Sequence, residues 1–271
     1  MKKFSQLALP YIIWAILILL LPMLLILFYS ITDAGNGITT FSVTLASYKK
    51  FFTDPDFLLI LWRSLIIAFK TTILCILIGY PVAYFIANSS DRVRNMLVLV
   101  ITIPTWINML VRTYAWIGIL TNLNIIYTET AVLIGMVYNF IPFMILQINT
   151  SLCKMDHSLI EAANDLGASK VQTFLRVVFP LSLPGVVNGI ALVFLPAVSS
   201  FFIPKLLGGG QYYLIGNVIE NQFITVGEWN FGSAISIIMA AVMMALMYIV
   251  RRIEERNSTV DERHRRAGWA A

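Results

Sequence analysis

The residues able to do chemistry are sparse in this chain, and the densest set runs from Ser158 to Pro180. Glu161, Ala162, Ala163, Asp165 and Gly167 lie there, in a polar connection between two long apolar runs. Ser158-x-x-Glu161 has the pattern of a capping box, in which hydroxyl and carboxylate each satisfy a backbone N–H left free at a helix start. Gly167 follows and can take the left-handed conformation that ends a helix. Ser169-x-x-Gln172 offers a second capping box. Pro180 and Pro184 are expected to limit how far that second helix continues. The chemistry of such a segment is docking rather than bond making. Two short capped helices form a rigid knob that another protein can push or pull.

Bond-making chemistry finds no support elsewhere. No Gly-x-x-x-x-Gly-Lys-[Ser/Thr] loop occurs, so the chain is expected to bind no ATP itself. Gly208-Gly209-Gly210 runs into Gln-Tyr-Tyr and reads as a hinge. His157 and His264 have no neighbouring ligand cluster, and Cys75 and Cys153 have no metal-site spacing, so no metal centre is expected. No nucleophile–base pair stands out, and no catalytic residue is assigned. A second set of residues suits cation binding. Trp106, Tyr114, Trp116, Tyr138 and Trp229 offer aromatic faces, and Glu220 and Glu228 offer charge. Each aromatic also suits an interfacial belt. Arg112 lies about 17 residues into its apolar run, roughly 25 Å across a membrane. It either snorkels to the outer surface or lines an outward cavity. Lys70 is expected to snorkel.

The elements that must position these residues are membrane spans. The chain has 271 residues, 59% hydrophobic and 12% charged, against roughly 25% charged in a soluble domain. Charge-free runs cover 4–32, 71–90, 130–153, 177–204 and 229–250, and 95–119 carries Arg112 alone. A bilayer crossing needs about 20 residues. The expected fold is therefore all-α and integral to a membrane, with six spans near 8–31, 64–88, 96–120, 130–152, 181–204 and 231–250. The capped segment occupies 156–180 and a mixed-charge tail 251–271, all in a single transmembrane domain of 1–271. The first apolar run exceeds a signal-peptide core of about 7–15 residues and reads as a permanent helix. Pro10 and Pro22 sit in or beside it. Residues 214–231 are too polar for a span and too apolar for a free loop, and read as a re-entrant or interfacial piece.

Orientation follows from the basic residues. With the N-terminus inside, the inner segments hold Lys2, Lys3, Arg92, Arg94, Lys154, Lys170, Arg176, Arg251, Arg252, Arg256, Arg263, Arg265 and Arg266. Only Lys49, Lys50, Arg63, Lys70, Arg112 and Lys205 fall elsewhere. Both termini and the capped segment are thus expected in the cytoplasm. The net charge of +5 is topological, and nucleic acid is not an expected partner.

The spacing Glu-Ala-Ala, three residues, Gly, nine residues, Val177-Val178-Phe179-Pro180 resembles the signature of ABC importer permeases, with Val and Phe where that signature has Ile and Leu. Three further stretches resemble the spermidine/putrescine permeases, in particular the first permease subunit of those importers. They are Ile78-Gly79-Tyr80-Pro81-Val82-Ala83-Tyr84, the run from Ile103 to Trp116, and Leu214-Ile215-Gly216-Asn217-Val218-Ile219-Glu220 with Glu228-Trp229. The resemblance implies a six-helix, type I importer subunit whose capped segment is a cytoplasmic coupling helix. It implies a bacterial inner membrane, a second homologous permease, and two ATPase subunits that bind ATP and Mg. It also implies an extracellular or periplasmic polyamine-binding protein. Other small solutes remain open as cargo. Two rival classes are weaker. A stand-alone secondary transporter would need carboxylates at the membrane midplane, and none is placed there. A DNA-binding helix-turn-helix over 163–178 would have only Lys170 and Arg176 to hold phosphates.

Overall fold

The computed structural model describes residues 14, 16–34, 41–156 and 158–268, with side chains as far as Arg252 except those of Ala34 and Phe41. Pro10, Lys2, Lys3, the start of the 8–31 span and His157 lie outside the described residues, as do the tail side chains, His264 among them. The described residues are helical almost throughout. A π-helical turn, Ile16–Leu20, leads into α1 (Leu21–Ser30), and α2 is Ala46–Thr53. Next are α3 (Pro55–Ala87), α4 (Asp91–Trp106), α5 (Met109–Asn122) and α6 (Glu129–Cys153). Then come α7 (Ser158–Asp165), α8 (Lys170–Thr173), a π turn (Phe174–Val178), α9 (Phe179–Ser199), α10 (Phe202–Leu207) and α11 (Ile215–Asn221). A third π turn (Gln222–Val226) precedes α12 (Trp229–Gly268). Among the described residues, the expected all-α character is modified only by a small antiparallel hairpin, β1 (Thr32–Ala34) with β2 (Phe41–Val43), in register Thr32↔Val43.

Among the described residues, four helices are long and apolar enough to cross a bilayer: Pro55–Ala87, Glu129–Cys153, Lys170–Ser199 and Trp229–Arg252. On α3 the buried side is Ile67, Thr71, Cys75, Tyr80, Ala83 and Ile86, while Phe69, Leu77 and Phe85 are exposed. A helix apolar on every side suits lipid, which covers the outer face at no cost in unmet hydrogen bonds.

Three sequence expectations are corrected. The run 96–120 is not one straight span. It breaks into α4 and α5, bent by 93°. Ile107 and Asn108 are extended there, and the Asn108 carboxamide oxygen accepts the Leu110 N–H at 2.8 Å, starting a new helix. Second, Pro180 and Pro184 do not stop the second capped helix, which continues from Lys170 to Ser199. Proline costs a helix one N–H bond and crowds the carbonyl a turn earlier. The π turn Phe174–Val178 widens the backbone just before Pro180 and supplies that room. Third, the helix that carries the span expected to begin near 64 starts earlier, at Pro55, which takes the first helical position where its missing N–H is harmless. Residues 214–231 form α11 and its π turn, ending at Gly227 with φ +77°. That is too short to cross a bilayer.

The chain divides into two compact units, Met1–Leu61 with Ile215–Met244 and Trp62–Leu214 with Ala245–Ala271. In the first, Asn230 fastens the hairpin by donating its amide to the Tyr29 and Thr32 carbonyls at 3.1 and 2.7 Å. Tyr48 donates to the Ser30 hydroxyl at 2.9 Å. In the second, α6 is the most buried span and packs mainly on α9. The backbones meet where α9 presents Gly185 and Gly189, one turn apart, to Ser151 and Met144. Between helices in lipid, close backbone approach replaces the hydrophobic drive available in water.

Candidate functional site

The capped segment is built as a knob. Its first helix, α7, starts a little before the position read from the sequence. The Asp156 carboxylate accepts the Ser158 N–H at 3.0 Å, so Ser158 is already helical and Asp156 takes the capping place. Glu161 lies in the first turn, where negative charge favours the helix. At the other end Gly167 has φ +79°. The Ala168 N–H bonds the Ala163 carbonyl at 3.1 Å and the Gly167 N–H the Asn164 carbonyl at 2.9 Å, the paired closure of a Schellman motif. The second capping box forms in full: Ser169 Oγ accepts from Gln172 N, and Gln172 Oε1 from Ser169 N. Thr173 then donates to the Asn164 side chain at 3.4 Å, tying α8 to α7.

Glu161, Ala162, Asp165 and Gly167 are exposed and Ala163 is half-buried. Leu166, at the tip, is 89% exposed, and Val171 and Leu175 are also open. An open groove of about 300 Å³ runs between the two helices, floored by Ala163 and Ala168 and edged by Arg176. Below the knob, Ile160 lines a narrow gap with Tyr84, Leu152, Met155 and Val178.

The knob is joined to the spans by aromatic packing that sequence reading did not identify. Phe174, in the π turn, meets Tyr80 and Tyr84 edge-on at 5.8 and 5.4 Å between ring centroids. Tyr80 also touches Phe179 at 5.7 Å. The Tyr80 hydroxyl lies 2.7 Å from Ser182 Oγ, which itself donates to the Phe179 carbonyl, so Tyr80 is the donor. Each aromatic pair contributes about 0.5–1.5 kcal/mol beyond area burial. The available signal was the i, i+4 spacing of Tyr80 and Tyr84, which stacks them on one helix face.

The residues suited to cation binding fall into separate groups. In the second unit, Trp116 and Tyr138 pack edge-on at 5.3 Å, and the Arg112 guanidinium lies 5.9 Å from the Tyr138 ring centre. Arg112 Nε and Nη1 are buried without a hydrogen-bond partner among the described residues. Trp106 and Tyr114 are exposed and do not join this group. Lys70 does not depend on snorkelling alone, since its ammonium pairs with Glu129. In the first unit, Trp229 packs between Tyr29 and Phe223 at 6.2 and 5.7 Å. Glu220 is half-buried on α11. Glu228 pairs with Lys50 at 3.3 Å, a cation no local pattern in the sequence pointed to. Among the described residues, no three His, Cys, Asp or Glu side chains gather closely enough to hold a metal ion.

Residues 76–259 match the family described as "Binding-protein-dependent transport system inner membrane component". The chain is similar to the spermidine/putrescine transport system permease protein PotB of Salmonella typhimurium (strain SL1344), at 37% identity over 93% of this chain and 94% of that one. It is 38% identical to PotB of Escherichia coli (strain K12), over 88% and 92% of the two chains. Its fold matches a chain of a bacterial alginate ABC transporter solved with an alginate pentasaccharide-bound periplasmic protein. The TM-score there is 0.74 at 14% identity, with 94% of each chain covered.

Proposed function

We propose, for a chain that belongs to the family of binding-protein-dependent transport system inner membrane components, that it is a permease subunit of an ABC importer carrying polyamines, spermidine or putrescine, into the cytoplasm. The observation that carries the coupling role is the knob itself, with α7 and α8 closed at Gly167 and started at Ser169 and an apolar tip at Leu166 left open to a partner. The cargo follows from the two PotB relatives, which carry that name over nearly their whole length.

In this reading the knob seats on an ATPase subunit that holds ATP and Mg, and this chain performs no hydrolysis. Two ATPase subunits, a second homologous permease and a periplasmic or extracellular binding protein complete the importer. ATP binding draws the ATPases together and pulls the knob with them. The Phe174–Tyr80–Tyr84 contacts and the Tyr80–Ser182 bond pass that displacement to α3 and α9. The spans open outward to receive the polyamine, and hydrolysis resets them. A ligand moves such an equilibrium only through different contacts in its two states, which is what an ATPase-driven knob provides.

The test is reconstitution with the three partners in vesicles. ATP-dependent accumulation of spermidine or putrescine is expected. Uptake of another solute class in place of polyamines would overturn the cargo, and activity of the lone chain would overturn the ABC reading.

The orientation has its own test. In a background where the exposed Cys153 is replaced by Ser, Asp165→Cys and Ser258→Cys should react with an impermeant thiol reagent only from the cytoplasmic side. Asn36→Cys should react only from outside. The asymmetry of basic residues motivates this. External reaction at position 165 would remove the knob from reach of any cytoplasmic ATPase.

A further inference from the structure

We infer that Glu228 and the Phe231 ring form a receptor for a primary ammonium group, and that Lys50 occupies it as a tethered stand-in for the cargo. The Lys50 Nζ lies 3.3 Å from Glu228 Oε2 and 4.3 Å from the centre of the Phe231 ring. A carboxylate on one side and an aromatic face on another are the two groups that recognise an alkylammonium.

The site is built rather than incidental. Phe231 is 3% exposed and meets Phe57 edge-on at 5.0 Å, and Phe57 in turn stacks on the fully buried Phe51 at 6.0 Å. The ring is thus held rigid with one face turned to the ammonium. Glu228 sits at the start of α12, its carbonyl taking the Gly232 N–H at 2.9 Å, so the first turn of the helix fixes its backbone. The occupant is the loose part. Lys50 and Glu228 side chains are each 52% exposed, so a water-screened pair holds a flexible stem. Lys70 pairs with Glu129 without such a ring.

A polyamine terminus is the same chemical group as the Lys50 tip, a primary ammonium on a methylene chain. It fits where Lys50 sits and must displace Lys50 to do so. The free chain is therefore self-occupied, and cargo affinity is reduced by the fraction of time the lysine is in place. This rests on the polyamine reading for its cargo but is measured apart from transport.

The experiment is equilibrium binding of radiolabelled spermidine to the purified permease–ATPase complex in nanodiscs, beside uptake in vesicles. Lys50→Met is expected to tighten binding about fivefold, as removal of a competitor occupying most of the sites requires. Adding Glu228→Gln or Phe231→Leu to Lys50→Met should reverse that gain. Lys50→Arg, still a tethered cation, should behave as the parent. If Lys50→Met fails to assemble, Lys50→Gln takes its place. Unchanged or weaker binding on removal of the lysine overturns the inference, whatever uptake shows. Polyamine uptake by the parent complex with no gain in Lys50→Met removes the receptor and leaves the importer. A Glu228-dependent gain in binding without polyamine uptake does the reverse.

Discussion

Gly167→Val is expected to reduce uptake by more than tenfold while the protein reaches the membrane in normal amount. The cause is conformational, since a Cβ at Gly167 meets nothing within 4 Å. The residue has φ +79°, a region that β-branched side chains enter only at a cost of about 1–3 kcal/mol. The two Schellman bonds that end α7 depend on that φ. Valine would open the turn and release α8, with its capping box, from α7, so that the knob no longer moves as one piece. Gly167→Asn is the discriminating companion, because asparagine tolerates the left-handed region and should keep most of the activity. Uptake and membrane abundance are measured on the same preparations. Full uptake by the valine variant at parental abundance would remove the knob from the coupling pathway.

The second large effect is expected at the meeting of α6 and α9. A Cβ at Gly185 would lie 2.5 Å from Ser151 Cβ, 2.7 Å from the Gln147 carbonyl oxygen and 3.2 Å from Ile148 Cα. Two of those atoms are backbone and cannot rotate away. Gly185→Leu must therefore push the helices apart over the span where the second unit is most buried. Overpacking typically costs about 1–3 kcal/mol, and a backbone obstacle places this variant at the upper end or beyond. Membrane abundance should fall several-fold, with a lower melting temperature in detergent for what remains. Gly118→Leu is the control, since it lies in α5 with nothing within 4 Å of its Cβ. Equal melting of Gly185→Leu and the parent would show that the two helices do not approach as closely as described.

What could be read from the chain was mostly local. The Ser169–Gln172 box and the left-handed Gly167 are short-range rules written in three or four residues, and both appear in the structure. Asp156 taking the cap ahead of Ser158 is a displacement of the same rule, because an Asx side chain competes for the same free N–H. The break at Ile107 and Asn108 was hidden by hydropathy, which averages over a window and does not see direction. The reading of Pro180 as a stop failed because it assumed α-helical spacing, whereas a wider turn ahead of it makes the ring fit. The Lys50–Glu228 and Lys70–Glu129 pairs, and the contact of Phe174 with Tyr80, join residues far apart in sequence. No periodicity within one element encodes such partners. Gly185 and Gly189 carried a signal, the Gly-x-x-x-Gly spacing of closely packed membrane helices, that hydropathy alone overlooks.

The π turn at Phe174–Val178 also acts as a phase setter. A helix advances about 100° per residue, and a π turn holds in place roughly one residue more than an α turn would. Everything beyond it is rotated by that amount relative to everything before it. Phe174 can therefore point at Tyr80 and Tyr84 while Gly185 and Gly189 still point at α6. A continuous α-helix through the same residues would have to give up one alignment to keep the other. Deleting a single residue from this turn would thus leave α9 in phase, whereas one residue inserted between Val178 and Gly185 would swing the rest of α9 about its own axis by about 100°, leaving its length and hydropathy almost unchanged while turning larger side chains toward Ser151 and Met144.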